Sequence, residues 1–121
     1  EGGLHGSVDE ESTLEGQVAV AADAVVKASR IIGPCRIGPG AVVEGCTIGP
    51  CVAVGDGCVL RGVQIRDSII DEETLVEDVP TPLERCVLGR RVQLRGLRHT
   101  SPGPLTMLLA DDSVLGPSNG E

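Results

Sequence analysis

A chain of 121 residues is long enough for one domain, and this one contains no Phe, Tyr or Trp and carries a formal charge of −8. Without aromatic faces it has no platform for stacking unpaired bases, and its negative charge opposes binding to nucleic acid or to an anionic membrane surface. No apolar run approaches the roughly 20 residues of a membrane-spanning helix, and the first residues lack the basic and apolar regions of a signal peptide. Glu1 in first place reads as the start of a fragment or processed product.

In chain order, residues 1–13 read as an N-terminal strap that begins a partial coil, with Ser12 lying 17 residues before Ser29. Residues 14–95 hold a repeat. Val20, Ile37, Val54, Ile70 and Leu88 recur at steps of 17, 17, 16 and 18. A second ladder, Val26, Val43, Leu60, Val76 and Leu94, and a third, Leu14, Ile31, Ile48 and Ile65, keep the same rhythm. A shared period of this kind marks a repeat protein. Within one period the apolar positions fall six, five and six residues apart, so each period has three short sides.

Smaller residues follow at constant offsets: Ala24, Ala41, Cys58 and Thr74 on the first face, and Ser29, Cys46, Val63 and Val79 on the second. On the third, Val18, Cys35, Val52 and Ile69 are expected to point inward in the same way. Gly and Pro mark the corners, at Gly33-Pro34, Gly38-Pro39, Gly49-Pro50 and Gly55-Asp56-Gly57, where φ is positive or preset. Sides of two or three strand residues with alternating burial fit this pattern, and a long helix does not. The expected fold is all-β, a parallel β-helix of about five three-sided coils.

Residues 78–85, with Val79-Pro80-Thr81-Pro82, are expected to break the rhythm as a corner loop, since proline cannot donate ladder hydrogen bonds. Residues 96–121 read as a linker through Ser101-Pro102-Gly103-Pro104, a strand at Leu105-Thr106-Met107-Leu108-Leu109 that covers the end of the prism, and a polar tail.

Chemistry-bearing residues are sparse. Ser29, Ser68, Ser101 and Ser113 have no neighbouring base recognisable in sequence, and no G-x-S-x-G occurs. The single lysine, Lys27, belongs to no phosphate-cradling loop. Cys35, Cys46, Cys51, Cys58 and Cys86 form no C-x-x-C pair; at least three fill small inward slots as hydrophobes, which fits a reducing cytoplasm. Asp71, Glu72, Glu73, Glu77 and Asp78 make an acidic stretch, and Arg85, Arg90, Arg91, Arg95 and Arg98 a basic one, expected as an exposed edge with weak ion pairs.

The stretch Val42-Val43-Glu44-Gly45-Cys46-Thr47-Ile48-Gly49-Pro50 through Val54-Gly55-Asp56-Gly57-Cys58 resembles the hexapeptide-repeat proteins. That resemblance implies a left-handed winding. Prisms of this sort serve as acyltransferases, which need a His base, or as His₃ zinc enzymes. Only His5 and His99 exist, both off the coil faces. The order of segments is similar to the C-terminal domain of long-form glucose-1-phosphate thymidylyltransferases. It is carried by Gly6-Ser7-Val8-Asp9, Leu14-Glu15-Gly16, Gln64-Ile65-Arg66-Asp67-Ser68-Ile69-Ile70, Arg85-Cys86-Val87-Leu88-Gly89-Arg90 and the close from Leu105 to Val114. Thr47 and Cys51 stand where such enzymes often have aromatics, and Ala110 where Gly is usual.

The resemblance implies a sugar-1-phosphate nucleotidylyltransferase parent whose catalytic α/β domain, with its G-x-G-T-R-type loop and its Mg²⁺, is absent from this chain. It also implies packing on that domain, with homo-oligomerisation as a further expectation. No catalytic, cofactor-binding or metal-ligating residue is assigned. The competing readings are a stand-alone acyltransferase-like prism and a purely non-enzymatic assembly scaffold.

Overall fold

The computed structural model describes residues 6–96 and 103–116 of the chain. Sixteen short strands wind through it in stacked coils, each visiting a second, a third and a first face in turn. The first three coils hold β1 (Ser7–Val8), β2 (Thr13–Glu15) and β3 (Val18–Val20), then β4 (Val25–Lys27), β5 (Arg30–Ile32) and β6 (Cys35–Ile37), then β7 (Val42–Glu44), β8 (Thr47–Ile48) and β9 (Val52–Val54). In the next two coils one long strand bends across two faces, β10 (Val59–Arg66) before β11 (Ser68–Ile70), and β12 (Leu75–Glu84) before β13 (Val87–Leu88). The last turn comprises β14 (Gln93–Arg95), β15 (Leu108–Leu109) and β16 (Val114–Leu115). All pairings are parallel, and the first face is a six-stranded sheet in the order β15-β13-β11-β9-β6-β3.

The three apolar ladders are the core. Val20, Ile37, Val54, Ile70, Leu88 and Leu109 stand in register on the first face. Val8, Val26, Val43, Leu60, Val76, Leu94 and Leu115 do so on the second. Side chains alternate across a strand, so each inward residue packs on its equivalents one coil above and below. The valine and isoleucine that dominate these rows suit the pleated surface. The architecture is thus a β-solenoid.

Three features differ from the expectations. The coil count is about six, close to the expected five: Leu108–Leu109 of the expected covering strand, and β16 after it, stack in the same register as the rest, Leu88 on Leu109 and Leu94 on Leu115. Residues 78–85 are no simple corner loop: β12 runs through most of them, Val79 pairs with Val63 and Leu83 with Ile65. Pro80 to Pro82 stand opposite the single Gln64, and the two extra residues are absorbed as a bulge between those pairs, so the third ladder continues through Leu83 to Leu105.

Ile69 is the third. It points outward at 57% exposure, and Ser68 is buried in the slot assigned to it. The single-residue shortening of this coil falls just before Ser68, which pairs with Val52. A one-residue slip reverses the faces. Ser68 tolerates burial because its hydroxyl donates to the Arg66 carbonyl (2.7 Å) and accepts from the Cys86 amide (3.0 Å).

The corner between first and second faces repeats a residue at positive φ in every coil, Asp23, Gly40, Gly57, Glu73, Arg91 and Asp112. These are residues without β-branching, which reach the left-handed region at acceptable cost.

Candidate functional site

The hydroxyls that a sequence search would test as nucleophiles are engaged in the stack. Ser29 is buried; its Oγ donates to the Lys27 carbonyl (2.8 Å) and accepts from the Cys46 amide (3.1 Å). Thr74 donates to the Gly89 carbonyl (2.7 Å), and Ser113 to the Ala110 carbonyl (2.7 Å). Each hydroxyl replaces a backbone partner between coils or at a corner. His5, His99, Ser101 and Arg98 lie outside the described residues. Among the described residues no three of His, Cys, Asp and Glu converge to hold a metal ion, and no helix is long and apolar enough to cross a membrane.

All five cysteines are free, and only Cys51 is exposed. Burial pushes the thiols of Cys35, Cys46, Cys58 and Cys86 up, so they stay protonated and slow to react. Titration of the native chain with a thiol-exchange reagent is expected to modify one thiol per chain quickly, and the other four only after unfolding. Rapid reaction of two or more in the native state would contradict the burial of the small slots.

The outer surface divides by face. On the second, Lys27, Glu44, Arg61, Glu77 and Arg95 follow one another in register with alternating sign. Arg61 lies 3.2 Å from Glu44 and 3.6 Å from Glu77, and Arg95 lies 3.5 Å from Glu77. The acidic and basic stretches therefore meet only in part: Glu77 joins Arg95, while Arg91 turns to Asp112 (2.7 Å). On the third face Arg30 pairs with Glu15 and Arg66 with Glu84. Exposed pairs of this kind contribute about 0–1 kcal/mol each.

Two carboxylates stand out at the ends of the stack. Asp9 takes the Ser12 hydroxyl (2.7 Å) and the Ala28 amide (3.1 Å), and Asp112 takes the Arg91 guanidinium. Those hydrogen bonds hold both carboxyls below the usual carboxylate range. A lowered native value adds stability that is fully present above the unfolded value, about 4, begins to fade there and is lost as pH falls through the native one. Amide exchange near Ser7–Thr13 and Leu108–Val114 is expected to accelerate between pH 5 and pH 3 relative to the middle coils, after correction for intrinsic rates. A uniform change along the chain would count against it.

The first face is different. One residue before each inward ladder position an outward row runs Ala19, Arg36, Ala53, Ile69, Val87 and Leu108, consecutive in register. Two open grooves of about 560 Å³ each flank this row and share Ala19, Arg36, Ala53 and Ile69 as floor. One is walled by Gln17, Pro34 and Cys51, the other by Gly38, Gly55 and Glu72. Sequence reasoning attended to the inward ladders and missed this row, although reading the positions just before each first-ladder residue would have found it.

No family model matches the chain. It is 36% identical over 110 residues to a glucose-1-phosphate thymidylyltransferase of Streptomyces antibioticus, an alignment covering 91% of this chain and 30% of that protein. With a glucose-1-phosphate thymidylyltransferase of Streptomyces griseus the identity is 35% over 108 residues, covering 89% of the chain and again 30% of the relative. The chain matches a fragment of these enzymes. The similarity to glucose-1-phosphate thymidylyltransferases thus spans nearly all of this β-solenoid and less than a third of the relatives it matches.

Proposed function

We propose that this chain is the C-terminal β-helix domain of a sugar-1-phosphate nucleotidylyltransferase, with a structural and assembly role, working in the reducing cytoplasm. The parent enzyme joins dTTP and glucose 1-phosphate into dTDP-glucose and pyrophosphate, with Mg²⁺, in a nucleotide-binding domain against which the prism packs. The observation carrying this reading is the alignment itself: nine-tenths of the chain aligns with under a third of each thymidylyltransferase. The engagement of Ser29, Ser68, Thr74 and Ser113 in inter-coil and corner hydrogen bonds supports a framework role. Five unpaired cysteines support the reducing compartment.

Sequencing the gene upstream of Glu1 tests the reading. An open frame encoding a G-x-G-T-R-type loop is expected, and the protein it yields should make dTDP-glucose. An in-frame start codon immediately before the Glu1 codon, with no such domain encoded, would refute it in favour of a free-standing scaffold.

A further inference from the structure

Cys35 and Cys51 stand on adjacent coils at one corner of the stack, between the third and first faces. Cys35 opens β6 and pairs in register with Val52, so Cys51 lies one residue before that partner on the next coil. The Cys51 amide donates to the Pro34 carbonyl (2.9 Å), which fixes the diagonal. With strands about 4.8 Å apart and a rise of about 3.3 Å per residue, the two α-carbons stand roughly 6 Å apart. Disulfides span about 4.4–6.8 Å between α-carbons.

The side chains reach this corner from two directions. Cys51 is exposed, in the turn at φ 65°. Cys35 is 8% exposed; its Sγ donates to the Ile32 carbonyl (2.8 Å), and a Cβ at Gly49, two residues before Cys51, would stand 2.8 Å from that sulfur. The Cys35 thiol therefore lies under the arch Gly49-Pro50-Cys51. Both cysteines, with Pro34, line the same open groove.

No other pair of cysteines is placed this way. Cys46 and Cys58 stand at the other two corners, after β7 and before β10. Cys86 continues the slot of Cys35 but is separated from the coil of Cys51 by the coil of Ser68.

We propose that Cys51 and Cys35 form a reversible disulfide when the chain meets hydrogen peroxide. The Cys51 sulfur attacks a peroxide oxygen, the O–O bond breaks, and Cys51 becomes a sulfenic acid as one water leaves with the thiol proton. The Cys35 sulfur then attacks the Cys51 sulfur, the S–O bond breaks, and the hydroxide leaves with the Cys35 proton as a second water. Two thiols are oxidised and one peroxide is reduced to two waters. A dithiol reverses the link by exchange.

The two cysteines divide the task by exposure. Burial above all, and a negative charge at Cys51 besides, push the Cys35 thiol up, so it meets outside reagents slowly and reacts with the sulfur held beside it. The link is protective: an exposed sulfenic acid goes on to a sulfinic acid that thiols do not reverse, and the disulfide stops oxidation before that point. It also ties the second coil to the third.

The reduced 121-residue chain, held in hydrogen peroxide for about an hour, is expected to become lighter by two hydrogens and to stay a single chain on a non-reducing denaturing gel. Dithiothreitol should restore its mass. A tryptic map should join residues 31–36 to residues 37–61, with fragmentation placing the link on Cys51. Cys51→Ser and Cys35→Val should each lose the link; Val18 and Val52 fill the Cys35 slot in the flanking coils, so the second variant keeps the fold. In Cys35→Val, Cys51 should instead gain two oxygens as the sulfinic acid. Cys46→Ser and Cys58→Ala should keep the link. An unchanged mass, a wild-type chain that gains oxygen without losing hydrogen, a link to Cys46, Cys58 or Cys86, or a disulfide between two chains in place of the internal one would each overturn the proposal. It does not rest on the nucleotidyltransferase reading, which is decided by the upstream gene and product assay.

Discussion

Val54→Asp is expected to lower the stability of this chain by about 4 kcal/mol, with a melting temperature at least about 10 °C below wild type. Val54 is buried on the first face, with Ile37 one coil below and Ile70 one coil above in register. An aspartate there meets aliphatic walls on both sides and no donor, so its carboxylate loses its hydration without compensation. The native state holds the new carboxyl above its ordinary range, and the damage grows as pH rises past the unfolded value. The deficit at pH 4 should therefore be smaller than at pH 7. Glu44→Gln supplies the contrast: it removes one exposed pair with Arg61 and should shift stability by less than about 0.5 kcal/mol. Urea melts of both variants at two pH values check the pattern, and equal effects of the two substitutions would put the register in error.

Gly55→Ala should cost about 2–3 kcal/mol, a large effect for a single methyl group at a corner. A Cβ at Gly55 would stand 2.8 Å from the Asp71 carbonyl carbon and 2.9 Å from the Glu72 amide nitrogen, both backbone atoms of the next coil. Backbone cannot step aside as a flexible side chain can, so adjacent coils must separate, and the disturbance passes along every pairing they share. Gly45→Ala separates this steric effect from the conformational one. Gly45 has φ of 63° with nothing within 4 Å of a new Cβ, so only the left-handed penalty of about 1 kcal/mol applies. Thermal melts that rank Gly45→Ala as the more damaging substitution would contradict the close stacking at Gly55.

The inward ladders were legible because burial demands aliphatics at a fixed period, and Val20, Val26 and Ile31 announce the three sides within a single coil. The position of the shortened step was not legible. Hydrophobicity alone prefers Ile69 to Ser68 inside, and the opposite outcome depends on the hydrogen bonds by which Ser68 Oγ satisfies the Arg66 carbonyl and the Cys86 amide. Leu83 was hidden behind two prolines that read as a break, yet a bulge can take up extra residues without ending a ladder. The first-face row escaped notice because its meaning is positional: Ala19, Ala53 and Ile69 are unremarkable until register lays them side by side.

The chain aligns with under a third of each thymidylyltransferase, and the function proposed for it, a framework whose chemistry lies elsewhere, is open to test. The most direct test is pyrophosphate release by the purified 121-residue chain given dTTP, glucose 1-phosphate and Mg²⁺. The account predicts a rate indistinguishable from the enzyme-free blank. Turnover that co-purifies with the chain and disappears on unfolding it would contradict the account at its centre.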